Sequence, residues 1–255
     1  MADRDKRIES PSLGLLALEG RGLLDIAALI AATPYLATAP RGPRHAVMVL
    51  PGLGADDRST FALRQFLSRL GYDVQGWGRG RNIRPADADL SALVDQASDL
   101  KARSGTPVSL VGWSRGGILA REVARRLPQD IRLVVTLGSP FAAPGASNVR
   151  ALWSLLTGQP YTPPSAERVS QLAAPIPVPS TSIFTRQDGV VAWRACLEQE
   201  GDRRENVEVR TTHLGLGFHP PALWVVADRL AQPLGSWAPF KPAPHLAPFF
   251  PKTSA

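Results

Sequence analysis

The sequence predicts an α/β protein, a mostly parallel sheet with helices on both faces. Three observations predict it. Six short apolar runs recur along the chain, separated by segments whose apolar residues fall at helical spacing. The connectors between most of these segments are short, as strand–helix–strand units require. The residues suited to chemistry lie just past the ends of the apolar runs, where open parallel sheets bind their ligands.

Residues 1–45 read as a helical segment packed on the core. "MADRDKRIES" mixes acids and bases, and the apolar stretch after it is broken by Glu19, Arg21 and Asp25. Those charges interrupt it too often for a signal-peptide core or for a membrane span of roughly twenty apolar residues. An amphipathic helix lying on a membrane surface is the rival reading of this segment. "AVMVL" (46–50) is the first strand, followed by the glycine-rich "PGLGADD". Phe61, Leu63, Phe66, Leu67 and Leu70 then fall at helical spacing, with Ser59 or Thr60 as cap. "YDVQGW" is the second strand, and residues 87–103 form a helix that Gly105 ends. "PVSLVG" is the third strand and 115–127 a helix stopped by Pro128. "IRLVVTLG", "STSIFT" and "NVEVR" supply the remaining strands, and 221–230 is a closing helix. Residues 46–140 and 180–232 thus make the core.

Two segments break this rhythm. Residues 141–179 hold two short amphipathic pieces, near 148–156 and 165–172, and eight prolines fall between 140 and 179. The segment is too long for a connector, so a lid over the carboxyl edge of the sheet is expected. Residues 233–255 are rich in proline and aromatics without a period. That tail is expected to wrap the surface in extended form or to lack order.

Composition limits the function classes. Of 255 residues, 44% are hydrophobic and 20% charged, which suits a globular chain. The net charge of +7 comes mostly from arginines scattered singly, with no basic block and no interleaved aromatics. This argues against nucleic acid as a partner and leaves only weak attraction to anionic surfaces. One cysteine, Cys196, precludes an intramolecular disulfide and points to a reducing, cytoplasmic setting. Four histidines without a Cys/His cluster give no ground for a metal, and no cofactor is expected.

"GWSRG" (112–116) fits G-x-S-x-G and lies between a strand and a helix, the setting of a nucleophile elbow. Gly112 and Gly116 would remove Cβ atoms where helix and strand come close. The competing reading makes Ser114 an ordinary helix cap. A serine nucleophile needs a base. His213, in "VRTTHLGLGFHP", follows the last strand at the carboxyl edge. His45 precedes the first strand on the wrong side of the sheet, His245 lies in the tail, and His219 reads as a capping or supporting residue. Asp188, in "TRQDGVV" past the fifth strand, is the candidate acid, with Gly189 giving the tight turn. An ordinary Asp-Gly turn is the alternative there. The chain order Ser114, Asp188, His213 is that of one fold type. The oxyanion donors would be the backbone N–H groups of Leu53 and Arg115. The glycine-rich loop lacks both phosphate-binding glycine patterns, so no nucleotide site is expected.

The stretches "VMVLPGLG", "LVGWSRGGILARE", "DGVV" and "THLGL" together resemble the α/β-hydrolase fold family, in particular its bacterial esterase and lipase-like members. The resemblance runs from about Ala46 to Leu230, apart from the insertion. It implies a sheet of six to eight strands, of which six are visible, so the usual first two are missing or replaced by the N-terminal segment. Two departures stand out: Pro51-Gly52 replaces the common His-Gly, and Trp113 takes a position often filled by His. The implied chemistry is hydrolysis of a carboxylic ester, an acyl or alkyl ester as a small-molecule substrate, through an acyl-enzyme on Ser114. Trp113, Phe141, Trp153, Leu156 and Tyr161 are the candidate pocket residues. Acyl transfer, or thioester or amide cleavage, would use the same residues. A catalytically inactive ligand-binding protein of the same fold is the reading from another class.

Overall fold

The computed structural model describes residues 8–251; residues 1–7 of the N-terminal segment and 252–255 of the tail lie outside that range. The described residues contain six strands: β1 (Ala46–Leu50), β2 (Asp73–Gly76), β3 (Val108–Trp113), β4 (Ile131–Leu137), β5 (Ser180–Phe184) and β6 (Arg204–Glu208). All neighbouring pairs are parallel, and the order across the sheet is β2-β1-β3-β4-β5-β6. All six runs read from the sequence are strands. The chain leaves β1 for one edge and returns to β3 on the other side. That reversal opens a crevice between the ends of β1 and β3, the place where such sheets hold ligands.

Nine helices are described: α1 (Leu13–Ala17), α2 (Gly22–Ala31), α3 (Thr33–Leu36), α4 (Phe61–Arg69), α5 (Ala86–Ser104), α6 (Arg115–Arg126), α7 (Val149–Thr157), α8 (Ala166–Ala173) and α9 (Pro220–Ala231). Side chains alternate across the central strands, as the two-residue strand period demands. Val47, Val49, Val111 and Val135 pack with α3, α4 and α9 on one face. Met48, Leu50, Leu110 and Val134 pack with α5 and α6 on the other. β1, β3 and β4 are buried on both faces, which is why they read as unbroken apolar runs.

Residues 138–179, between β4 and β5, carry α7 and α8. α6 holds the second of these down. Arg168 of α8 pairs with Glu122 at 2.9 Å, and Arg125 donates to the Leu172 and Pro175 carbonyls. Arg121 and Glu198 form an ion pair in which both side chains are 1% exposed. The Arg121 guanidinium also lies 3.7 Å from the centre of the Phe141 ring and donates to Ala174 O.

The N-terminal end differs from the sequence reading, and the described part of the tail follows its first alternative, wrapping the surface. The N-terminal segment is a chain of short pieces rather than one amphipathic helix. A 3-10 turn at Leu18–Arg21 separates α1 from α2. Glu19 is 5% exposed, whereas Leu13, Leu23, Leu24 and Ile30 are each at least 70% exposed; Leu36, farther along, is buried in the core. The tail is ordered by contacts, with Leu246 and Phe250 buried and Phe240 N–H bonded to Glu205 at 2.7 Å.

Breaking the Arg121–Glu198 pair from one side leaves a buried charge without its partner. Arg121→Met should therefore cost about 3–5 kcal/mol in chemical denaturation, and the double variant Arg121→Met/Glu198→Leu should recover most of it. A double variant no more stable than the single one would contradict the assignment.

Candidate active site

Ser114 joins β3 to α6 with φ +53° and ψ −122°, outside the regions open to a side chain at no cost. Such a conformation costs about 1–3 kcal/mol and must be imposed by its surroundings. Here the imposing contacts are close backbone approaches. A Cβ on Gly112 would run into Gly116 and Gly117, and a Cβ on Gly116 into the Leu50 and Pro51 carbonyls. Ser114 N–H donates to Leu137 O at 2.7 Å. The residue occupies the N-cap position of α6, yet its side chain makes no capping hydrogen bond. The hydroxyl is therefore not spent on the helix, and the plain-cap reading fails.

Asp188 and His213 meet as the sequence order requires. Asp188 Oδ2 accepts from His213 Nδ1 at 2.7 Å, and Oδ1 accepts from the Val190 and Val191 N–H groups at 2.9 and 2.7 Å. Both residues are buried. With Nδ1 donating, Nε2 is the ring nitrogen left with a lone pair. Burial works against a charged imidazole; the charge and hydrogen bond of Asp188, with the Glu19 charge behind them, outweigh it and hold the His213 pKa above its ordinary 6.5. The ring lies against Gly138, where a Cβ would come within 3.0 Å of Nδ1. Trp113 Nε1 donates to His213 O at 3.2 Å, so the residue before Ser114 braces the base loop directly. Ser114 Oγ and His213 Nε2 share no hydrogen bond here; such contacts commonly tighten only when substrate is bound.

The other histidines are engaged elsewhere. His45 bonds Ser109 Oγ at 2.8 Å on the far side of the sheet. His245 stands edge-on to Tyr35. His219 stands at the N-cap position of α9 without a side-chain cap bond and pairs with Asp25 at 2.7 Å, the supporting alternative of its reading.

The loop after β1 faces Ser114. A Cβ on Gly52 would lie 3.3 Å from the serine Cβ. Gly54 and Ala55 N–H groups donate within the loop region, to Asn82 O and Gly52 O, whereas Leu53 N–H has no such partner among the described residues. Arg115 N–H belongs to the first turn of α6, whose donors have no intrahelical acceptor. A cavity of about 290 Å³ opens beside these groups, lined by Leu53, Ser114, Ile118, Pro140, Val149 and Trp153 among others. Tyr161 also lines it, and Arg168 and Glu122 border it.

Three candidate pocket residues lie elsewhere. Trp113 packs edge-on to Phe218 and braces the base loop. Phe141 is fully buried beneath the Arg121 guanidinium. Leu156 lies on the loop after β1, within 2.5 Å of where a Gly54 Cβ would stand. Apolar character alone did not separate wall from core, and Ile118 and Val149 were missed for the same reason.

Solved structures similar in fold include Aspergillus fumigatus lipase B, with a TM-score of 0.58 and 17% identity over 77% of this chain and 56% of that one. An alpha/beta superfamily hydrolase from Oenococcus oeni PSU-1 gives 0.56 and 19%, over 76% and 94%. The chain has the α/β-hydrolase fold. Among curated proteins, serine hydrolase BPHL of Mus musculus is 34% identical over 104 residues, which are 37% of this chain and 36% of that protein. Polyketide synthase ThaQ of Burkholderia thailandensis is 35% identical over 121 residues, 42% of this chain and 6% of that protein. The chain thus spans about a third of BPHL and a small part of ThaQ. No family model matches.

Within this α/β-hydrolase fold no strand precedes Ala46 among the described residues, and residues 13–36 are helical instead. Two supporting residues of the site escaped the sequence reading. Asn82, fully buried, donates to Pro51 O at 2.8 Å, and its own N–H and C=O bond Ala55 and Gly54, so it fixes the loop after β1. Glu19 accepts from Gly189, His213 and Leu214 N–H groups. Gly189 itself has a different reason from the tight turn expected. The Leu15–Leu16 backbone packs against it and leaves no room for a Cβ.

NMR titration of the His213 ring should give a midpoint above 6.5 in the wild type and a lower one in Asp188→Asn, where burial is no longer outweighed. A raised folded-state pKa stabilises the fold fully below 6.5 and loses that contribution as pH rises through the raised value. The Asp188→Asn stability curve should therefore flatten over that window. An unmoved midpoint would contradict the pairing.

Proposed function

We propose that this chain is a carboxylic ester hydrolase that works through an acyl-enzyme on Ser114, with His213 as base and Asp188 as its partner. One observation carries the reading. A serine held at a strained turn, with its hydroxyl unspent, borders an apolar cavity on the sheet edge that also carries the Asp188–His213 pair. The names of the fold neighbours, lipases and hydrolases, support the same reaction class.

The proposed reaction runs in two halves. His213 Nε2 takes the Ser114 proton as Oγ attacks the ester carbonyl carbon. The resulting oxyanion accepts from the Leu53 and Arg115 N–H groups, fixed donors in a largely apolar site. The tetrahedral species collapses, the C–O bond to the alcohol breaks, and the imidazolium returns its proton to the leaving alkoxide. Water then attacks the acyl-serine, giving its proton to His213. The second collapse releases the carboxylic acid and restores the serine. Asp188 keeps its charge throughout and holds the imidazole in the reactive tautomer.

The cavity sets the substrate class of the proposal. Its volume of about 290 Å³ lies near the low end of the roughly 300–1,000 Å³ range of small-molecule sites. The walls from Ile118, Pro140, Val149 and Trp153 suit an uncharged acyl group. Acetyl to octanoyl esters should therefore be preferred over palmitoyl.

Ser114→Ala should lower kcat/KM for p-nitrophenyl butyrate by at least about 10⁴-fold, and Asp188→Asn by roughly 10³–10⁴-fold. The acid limb of the wild-type kcat/KM profile should fall above pH 6.5, because the base must be neutral and its pKa is raised. Wild-type rates in Ser114→Ala would refute the proposal. A full-rate butyryl acceptor, such as an alcohol outcompeting water, would redirect it to acyl transfer.

A further inference from the structure

We propose that Glu19 is a positioning residue for this reaction centre: its carboxylate ties the acid turn and the base loop together from a third, distant part of the chain. The inference rests on the ester-hydrolase reading for its kinetic consequences, but its geometry stands on its own. Glu19 Oε1 accepts from Gly189 N–H at 2.7 Å and from His213 N–H at 3.0 Å; Oε2 accepts from Leu214 N–H at 2.9 Å. Gly189 directly follows Asp188, and His213 is the base itself. A single side chain therefore sets the backbones of both members of the pair.

The physical chemistry favours a carboxylate over any neutral substitute. Three N–H groups converge on two oxygens, so an amide would turn its own NH₂ against one of the donors. A buried charge is expensive without partners, and these charge-assisted bonds supply them. The segment is anchored a second time nearby. Asp25 accepts from Thr211 Oγ1 at 2.6 Å and pairs with His219 at 2.7 Å. Both anchors are acids turned inward, while Leu13, Leu23 and Leu24 beside them face out. Around Glu19 and Asp25 the N-terminal segment is thus held to the site by polar contacts, while farther along Leu29, Tyr35 and Leu36 pack on the core beside α9.

Two effects follow. The three hydrogen bonds hold both loops in place, and displacements of about 1 Å near a reacting centre cost on the order of 100-fold in rate. A negative charge also sits beside the imidazolium that forms when His213 takes a proton. The charged groups acting on the ring are Asp188 from the loop after β5 and Glu19 from the N-terminal segment. Asp25 and His219 pair with each other on the far side of the loop.

The test compares wild type, Glu19→Gln and Glu19→Asp by NMR titration of His213, by kcat/KM against pH and by Tm. Glu19→Gln should lower kcat/KM at least tenfold at the optimum, and it should move the His213 midpoint and the acid limb together to lower pH. Glu19→Asp keeps the charge on a shorter arm; it should keep the midpoint and lose at least threefold in kcat/KM. A merely structural role would lower Tm and leave midpoint and profile in place, and that result in Glu19→Gln overturns the proposal. If Glu19→Gln does not fold, Glu19→Asp decides, and wild-type kcat/KM in that variant overturns it. If the wild type cleaves no ester, the hydrolase reading fails by itself. The NMR midpoint still decides the tie, since an unmoved midpoint in Glu19→Gln refutes it.

Discussion

The close approach of α6 to the ends of β1 and β3 is the constraint on which the site depends. It forces Ser114 into a left-handed conformation, and it is possible only because Gly112, Gly116 and Gly117 carry no Cβ. Three consequences come from the one contact. The serine side chain is lifted out of the helix cap, the first-turn N–H of Arg115 is brought under it, and the loop after β1 is set beside it at Gly52. The crossing of the chain from β2 back to β3 places this contact at the one point in the sheet where a crevice opens. The strain at Ser114, about 1–3 kcal/mol, is small against the burial of the apolar side chains of β1, β3 and β4 behind it.

Charges inside the molecule follow a different logic from the apolar core. The buried carboxylates at the site and against α6 are held by specific donors. Asp188 has two backbone N–H groups and the imidazole, Glu19 has three N–H groups, and Glu198 has Arg121. Such groups add little net stability compared with apolar replacements. What they do is fix direction, because a hydrogen bond has a required geometry and a leucine contact does not. They lie where segments distant in sequence must keep a register: the Asp188 turn with the His213 loop, and α6 with the chain between β5 and β6. The proposed chemistry needs that register more than it needs stability.

Much of this was legible in the sequence. β1, β3 and β4 announce themselves because strands buried on both faces need apolar residues at every position. Ser114, Asp188 and His213 were visible because each sits beside a strand end, and the glycines around Ser114 record the close packing there. Glu19 and Asn82 were not visible, and the reason is physical. Their partners are backbone N–H and C=O groups of distant loops, which every residue carries, so no side-chain pattern marks the pairing. Glu19 therefore read as an interruption of an apolar stretch when it faces inward. Trp113, Phe141 and Leu156 show the complementary limit. A large apolar side chain near a site is equally suited to brace, core and wall, and only the fold assigned them to the first two.

The central claim is that Ser114 becomes covalently acylated. The most direct measurement is peptide mapping by mass spectrometry after acid quench of the enzyme with a slowly deacylating p-nitrophenyl ester. The account predicts one acyl adduct per chain, on the peptide containing Ser114, formed in a burst with p-nitrophenol and absent in His213→Ala. An adduct on another residue, or steady turnover in Ser114→Ala with no adduct on any serine, would contradict it.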